Sequence, residues 1–125
     1  MWRSKGGDVI EVKSITAPEE VRAFDGGRME IVWVGGTTVV RATFEPGFRC
    51  SEVLGPKAGT ASCQLNHTGY VVSGRLCFAP DEGDEVELSP GDVFAVPPGH
   101  DTWVVGDEPV VVIDISGMVD YAKKV

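Results

Sequence analysis

The sequence has few of the side chains that most often bind metals or act as nucleophiles. It contains two histidines and three cysteines among 125 residues. The cysteines, Cys50, Cys63 and Cys77, are odd in number and lack paired spacing, so we expect reduced thiols in a cytoplasmic protein rather than a disulfide framework. Any site built on imidazole or thiol groups must use these few residues.

Long apolar runs and clustered positive charge are also missing. No segment is long and apolar enough to cross a bilayer, and the first residues contain no apolar run of signal-peptide length. The formal net charge is −8 and the Lys and Arg residues are scattered, so a phosphate backbone would be repelled. We therefore expect a soluble protein without nucleic-acid or membrane partners.

Helical patterns are scarce, whereas turn signals are frequent. Sixteen glycines and eight prolines punctuate the chain in short clusters, and the segments between them have the length and composition of strands. In chain order these segments are RMEIVWVG, TTVVRATF, GYVVS, RLCFAP, DEVELS, DVFAVP, DTWVVG and PVVVIDIS. The pattern predicts an all-β fold, and a small jelly-roll or double-stranded β-helix barrel would protect the strand edges.

The length predicts one domain that spans residues 1–125, because a chain of this size supports one hydrophobic core. Residues 28–115 form the predicted barrel and residues 116–125 a surface tail. Residues 1–27 are predicted to be an adapter, with a strand in DVIEVK and a helical turn opened by Thr16, Pro18 and Glu19. The segment 49–66 is longer than a hairpin needs, which is typical of a functional or mobile connection.

One spacing in the second half carries a family resemblance. Gly91, five residues, Pro97, one residue and Gly99 form the pattern G-x5-P-x-G, which resembles the second conserved motif of the cupin family. The motif's histidine would fall on Thr102, and His100 lies two residues earlier. Because side chains alternate along a strand, residues 100 and 102 share a face, so His100 can point where the family's ligand points.

The first cupin motif, G-x5-H-x-H-x3,4-E-x6-G, is altered. Counting back seven residues from Gly74 places His67 at the family's carboxylate ligand, and four residues earlier Cys63 stands at the second histidine. The first histidine falls on Ala61. An alternative alignment from Gly47 brings Glu52 and Val53 near these positions.

The resemblance covers roughly residues 28–115 and is similar to a subgroup of small single-domain bacterial cupins. Members of that subgroup commonly carry Trp-Ser-Glu-His where this chain has Cys50, Ser51, Glu52 and Val53. The altered motif removes a candidate histidine ligand.

The resemblance implies one divalent metal ion, Fe, Zn, Mn or Ni, held by His67 and His100 together with Glu52 or Cys63. Two histidines and a carboxylate match the ligand set of non-haem Fe(II), whereas two histidines and a thiolate suit zinc or another soft ion. Glu52, His67 and His100 are the candidate catalytic residues, since a glutamate at a barrel mouth can act as a base. Both alternatives for the third ligand remain open.

Four further residues are candidates for lining the cavity. Arg49 follows the Pro46-Gly47 turn and can hold a carboxylate through two hydrogen bonds. Gln64 lies beside the site, Thr102 takes the place of the family's histidine, and Tyr70 follows His67 on the same predicted strand.

These observations favour a small metal-dependent cupin enzyme that acts on a small organic acid or carbonyl compound by dioxygenase, isomerase or decarboxylase chemistry. The alternative is a metal-free cupin domain that binds or senses a small molecule. Resemblance to small cupins and the apolar RMEIVWVGG segment also predict a homodimer.

Overall fold

A computed structural model describes residues 9–58 and 62–115 of the chain. Within these residues the elements are β1 (Glu20–Phe24), β2 (Gly27–Val34), β3 (Thr37–Phe44), α1 (Cys50–Val53), α2 (Gly55–Ala58), β4 (His67–Ser73), β5 (Leu76–Pro80), β6 (Val86–Leu88), β7 (Val93–Val96), β8 (His100–Val104) and β9 (Val110–Asp114). The all-β prediction is confirmed, and each of the eight predicted strand segments overlaps one of β2 to β9.

The strands form two antiparallel sheets. The larger sheet has the order β1-β2-β3-β9-β4-β7, and the smaller has the order β6-β5-β8. The buried apolar cluster draws on both sheets, with Ile31 and Val40 from the larger and Leu76 and Phe78 from the smaller. Each fully buried side chain of this kind stabilises the fold by roughly 1.5–3 kcal/mol. The core therefore lies between the sheets.

The region before the barrel differs from the sequence prediction. Glu20–Phe24 forms a strand that pairs with β2, so the prediction of a helical turn here is wrong. Asp25 and Gly26 form the two-residue hairpin between these strands, and Gly26 has φ of 84°, as such turns require. The described part of DVIEVK, residues 9–13, is not in a strand. The predicted tail at residues 116–125 lies outside the described residues.

The long connection after β3 begins with α1, which is tied to β8. The Asp101 carboxylate accepts hydrogen bonds from the Ser51 amide at 2.9 Å and the Ser51 hydroxyl at 2.8 Å. Arg49 donates to the same carboxylate at 3.1 Å, and its guanidinium lies 4.1 Å from the centre of the Trp103 ring. Asp101 thus fixes the start of α1 beside the residue that opens β8.

Three residues with side chains that can bind a metal lie close together, at or just before the start of a strand. His67 is the first residue of β4 and His100 the first of β8. Cys63 lies just before β4 and forms an isolated antiparallel bridge with His100, with Cys63 N to His100 O at 2.7 Å. The backbone therefore holds Cys63 and His100 together, while β4 supplies His67 from the other sheet.

Candidate metal centre

One cluster among the described residues combines imidazole and thiol groups. Cys63, His67 and His100 each offer one ligand atom, and these three atoms lie within 4.8 Å of one another. The two imidazole rings meet edge to face, with centroids 5.2 Å apart. An ion placed between them would be within reach of all three donors.

His67 is buried and held at both ring nitrogens. Its Nδ1 lies 3.2 Å from Oδ2 of Asp114, and its Nε2 lies 3.5 Å from Sγ of Cys63. Asp114 ends β9, the strand beside β4, and it is 1% exposed. A carboxylate accepts hydrogen bonds, so it keeps a proton on Nδ1, and Nε2 is the nitrogen that faces Cys63 and would bind a metal once its own proton is displaced.

His100 supplies the clearest test of whether the cluster fits a metal. Its Nδ1 lies 2.8 Å from the carbonyl oxygen of Pro97, and a carbonyl only accepts, so Nδ1 carries the proton. The Nε2 atom is buried and has no hydrogen-bond partner among the residues described. Buried polar atoms in folded proteins are seldom left unpaired. A metal ion would satisfy this lone pair.

The charge state of the cluster also favours metal binding. A hydrogen bond from Cys50, and then the proximity of His100 and His67, lowers the pKa of Cys63 well below its ordinary 9.0 despite burial. Burial alone would lower the pKa of His67, but hydrogen bonds with Asp114 and Cys63 outweigh it and raise the pKa from 6.5 to about 9. At neutral pH Cys63 and His67 therefore form a thiolate–imidazolium pair, and a metal ion bound there would take the thiolate and displace the proton from Nε2 of His67.

These residues fit a divalent ion. A thiolate and two imidazoles are ligands that zinc and other borderline or soft metals prefer. The unpartnered Nε2 of His100 gives the set a donor atom that no hydrogen bond competes for. Three protein donors leave room for water or a substrate at a tetrahedral ion.

Two cavities lie near the cluster. The interior cavity, lined by His67, Thr102 and Asp114 among others, has a volume of only about 20 Å³, which suits a single water molecule. A larger groove of about 840 Å³ runs between the edges of the two sheets, with Phe78 and Phe94 among its lining residues, and it reaches His100. A small organic molecule would therefore approach through the groove.

Comparison with known proteins identifies a domain within the chain. Residues 58–116 match the family model of the cupin domain. This segment is a cupin domain, and it contains Cys63, His67 and His100. No curated protein matches the chain in sequence.

Solved structures share the fold of this chain at low sequence identity. A sugar phosphate isomerase of the cupin superfamily from Silicibacter pomeroyi is 19% identical, with a TM-score of 0.60, and the match covers 84% of this chain and 74% of that one. Oxalate decarboxylase from Bacillus subtilis is 22% identical, with a TM-score of 0.57 and 78% of this chain covered. Oxalate decarboxylase from Lactobacillus farciminis, in a formate complex, is 16% identical, with a TM-score of 0.56 and 77% covered.

The two oxalate decarboxylases are much longer than this chain. The match spans 27% of the Bacillus subtilis chain and 30% of the Lactobacillus farciminis chain.

Among the described residues, no helix is long and apolar enough to cross a membrane.

The two candidates for the third ligand lie in different places in the structure. Cys63 lies with the histidines, whereas Glu52 is exposed on α1 and lies outside the cluster. Val53, the other residue of the alternative alignment, is partly buried against the core. The thiol of Cys63 is therefore the group positioned to be the third donor, and Glu52 is not part of the cluster that the described residues form.

The four predicted lining residues differ in their positions. Thr102 is buried and lines the interior cavity beside His67. Arg49 is engaged by Asp101 and Trp103, and Gln64 is exposed, with its amide 3.0 Å from the Ser62 hydroxyl. Tyr70 is 45% exposed. An offset of three residues from His67 places it on the opposite face of β4, so it does not line the cavity.

Two residues of the site were missed in the sequence. Asp114 stands in the apolar run VVVIDIS, and a lone carboxylate two residues after the buried Val112 is the signal that it faces the core. Cys50 is buried at the start of α1 and hydrogen-bonds to Cys63. No signal in the sequence indicated that contact, because it depends on how α1 docks.

Proposed function

We propose that this cupin is a metal-dependent enzyme that acts on a small organic acid or a carbonyl compound. The unpartnered, buried Nε2 of His100, facing a thiol and a second imidazole, is the observation that carries the proposal. Cys63, His67 and His100 would hold one divalent ion. Once bound, such an ion supplies Lewis-acid or oxygen-activating chemistry.

The surrounding residues prepare the donors for that role. Asp114 and the Pro97 carbonyl each hold a proton on an Nδ1 atom, so both Nε2 atoms are directed to the centre. Phe78 and Phe94 contact each other beside the histidines, with ring centroids 5.3 Å apart, and restrict water there. The protein thus orients the ligands and excludes bulk solvent.

The substrate class is supported by the fold relatives and by the groove. Two relatives are oxalate decarboxylases and one is a sugar phosphate isomerase. Oxalate is a small organic acid, and sugar phosphates carry a carbonyl group in their open form. We propose decarboxylase, isomerase or dioxygenase chemistry on a molecule of this size, in a homodimer of the cytoplasm.

Turnover by metal-loaded protein tests this function. Protein loaded separately with Fe(II), Zn(II), Mn(II) or Ni(II) is incubated with dicarboxylates, keto acids and sugar phosphates, and products are followed by NMR. Turnover should disappear with a chelator and in His100→Ala, and persist in Cys77→Ala. A reaction that continues unchanged in both His67→Ala and His100→Ala would contradict the proposal.

A second candidate is a metal-free domain that binds or senses a small molecule. The groove favours it, because about 840 Å³ is the size of a typical ligand pocket. In that case the melting temperature would not respond to added metal or chelator, but a metabolite that fills the groove would raise it.

A further inference from the structure

Two of the three cysteines face each other at the candidate metal centre. Cys50 is 3% exposed, and its thiol hydrogen-bonds to that of Cys63, which is only partly buried. The third, Cys77, lies on β5, with its Sγ 3.8 Å from the carbonyl oxygen of Phe78. The cysteines therefore divide into a close pair and a single buried thiol.

The fold holds this pair together from both sides. Cys50 opens α1, and its carbonyl accepts the Leu54 amide at 2.9 Å, while Asp101 fixes the neighbouring Ser51. On the other side, the carbonyl of Cys63 accepts the Gly99 amide at 2.7 Å. Arg49, next to Cys50, bridges Trp103, and Cys63 bridges His100, so both segments lie along the edge of β8 that β5 leaves open. This docking brings the two cysteines close together.

We infer that Cys50 and Cys63 are an oxidative modification site, which a hydroperoxide converts into a disulfide that removes the Cys63 sulfur from the metal ligands. The ligand role of Cys63 rests on the proposed function, whereas the disulfide itself does not. The partly exposed Cys63 is the thiol that a small oxidant can reach. Cys50 is the partner that reacts with the oxidised Cys63 to form the disulfide.

The chemistry needs only the two thiols and the hydroperoxide. The Cys63 sulfur attacks a peroxide oxygen, so an S–O bond forms and the O–O bond breaks, and the proton that Cys63 shares with His67 leaves with the released water or alcohol. The Cys50 sulfur then attacks the Cys63 sulfenic acid. An S–S bond forms, the S–O bond breaks, and the hydroxyl leaves as water with the Cys50 proton. Two thiols are oxidised, and one peroxide is reduced.

Metal binding and oxidation would exclude each other. A disulfide sulfur carries no negative charge, so it is a poor metal ligand. Conversely, a cysteine sulfur that is bound to a metal is shielded from peroxide. The oxidised protein would keep His67 and His100 but lose the charged ligand. Bound zinc should therefore slow disulfide formation, and the disulfide should weaken zinc binding by at least about tenfold.

Peptide mapping on the wild-type protein tests the pair directly. Metal-free and zinc-loaded protein are treated with hydrogen peroxide and digested with trypsin without reduction. Cleavage after Arg49, Lys57 and Arg75 places the three cysteines in three different peptides, 50–57, 58–75 and one that begins at residue 76. Zinc affinity is measured in parallel by titration, before and after oxidation and after a dithiol reductant is added.

We expect a link between peptides 50–57 and 58–75 in wild type and Cys77→Ser, reversed by the reductant. In Cys50→Ser, Cys63 should instead accumulate as sulfinic acid. A link from Cys63 to Cys77, consumption of thiols without any link, or a disulfide that leaves zinc affinity unchanged would each overturn the inference. A Cys50 to Cys63 link in protein that binds no metal when reduced would support the thiol pair and contradict the proposed function.

Discussion

At the scale of single residues, the candidate centre depends on which nitrogen of each imidazole carries a proton. Asp114 and the Pro97 carbonyl are the acceptors at Nδ1 of His67 and His100, at 3.2 and 2.8 Å. Both acceptors lie on the side of the ring that faces away from the candidate centre. As a result, Nε2 of each histidine already faces the candidate centre, and a metal has only to displace the proton that the raised pKa of His67 holds there.

Replacing Asp114 tests this argument. Asp114→Asn keeps the size of the side chain but removes the charge that orients His67, so we expect metal affinity to fall by about 10–100-fold. A competition assay with a coloured chelator measures the affinity, and circular dichroism checks the fold. Asp107→Asn, in the exposed turn before β9, is the matched control. Equal affinities of wild type and Asp114→Asn would show that Asp114 does not position His67.

At the scale of elements, β4 and β9 approach each other unusually closely near the site. A Cβ atom added at Gly69 would lie 2.0 Å from the carbonyl oxygen of Ile113. Gly69 is two residues after His67 and pairs with Asp114. The glycine thus lets β4 bring His67 next to Asp114.

We expect Gly69→Ala to separate these strands. Relieving the overlap should lower the free energy of unfolding by about 1–3 kcal/mol, and metal affinity should fall because His67 moves away from Asp114. Urea denaturation measures the first effect. Val72→Ala, which shortens an exposed side chain of the same strand, should change little by comparison. Wild-type stability in Gly69→Ala would contradict the close approach.

The docking of α1 on β8 predicts a pH dependence. Burial opposes the charge of Asp101, but hydrogen bonds from Ser51, Thr102 and Arg49 hold its pKa below the ordinary 3.8. A lowered pKa in the folded state stabilises the protein above pH 3.8, and this contribution is lost as the pH falls below that value. Asp101→Asn should therefore cost about 1–3 kcal/mol at neutral pH and less in acid.

Urea denaturation of wild type and Asp101→Asn across this pH range measures that difference. Glu108→Gln, an exposed carboxylate between β8 and β9, is the control and should behave as wild type. A difference between wild type and Asp101→Asn that stays constant down to the lowest pH would contradict the assigned role of the charge.

At the scale of the whole molecule, apolar surface near the described N-terminal end favours self-association. Val9, Ile10 and Val12 are 73%, 91% and 84% exposed. We expect a homodimer that buries this segment. Ile10→Asp should shift the mass measured by light scattering to that of a monomer, whereas Val86→Asp, at another exposed valine, should not. A monomeric wild type at high concentration would contradict the prediction.

Sequence patterns predicted the strands well because turns and alternation are local signals. TTVVRATF coincides with β3, and Gly91, Pro97 and Gly99 marked the turns around β7. The adapter was harder, since Thr16, Pro18 and Glu19 resemble a helix start although Asp25-Gly26 closes a hairpin. There the pairing with β2 outweighs the local helix signal.

The candidate site was only partly predictable. Motif spacing singled out His67 and His100, and it left Cys63 and Glu52 as alternatives. The choice between them depends on the Cys63 bridge to His100, and the roles of Asp114 and Cys50 depend on sheet pairing and on the docking of α1. Such long-range contacts have no signature in one sequence.

The metal content of purified protein tests the central claim most directly. Elemental mass spectrometry is applied after loading to wild type, His67→Ala, His100→Ala and Cys63→Ala, with Cys77→Ala and Glu52→Gln as controls. We predict near-stoichiometric metal in wild type and both controls, and loss of metal in the three site variants. Wild type that holds no metal after loading, or His100→Ala that holds as much as wild type, would contradict the account.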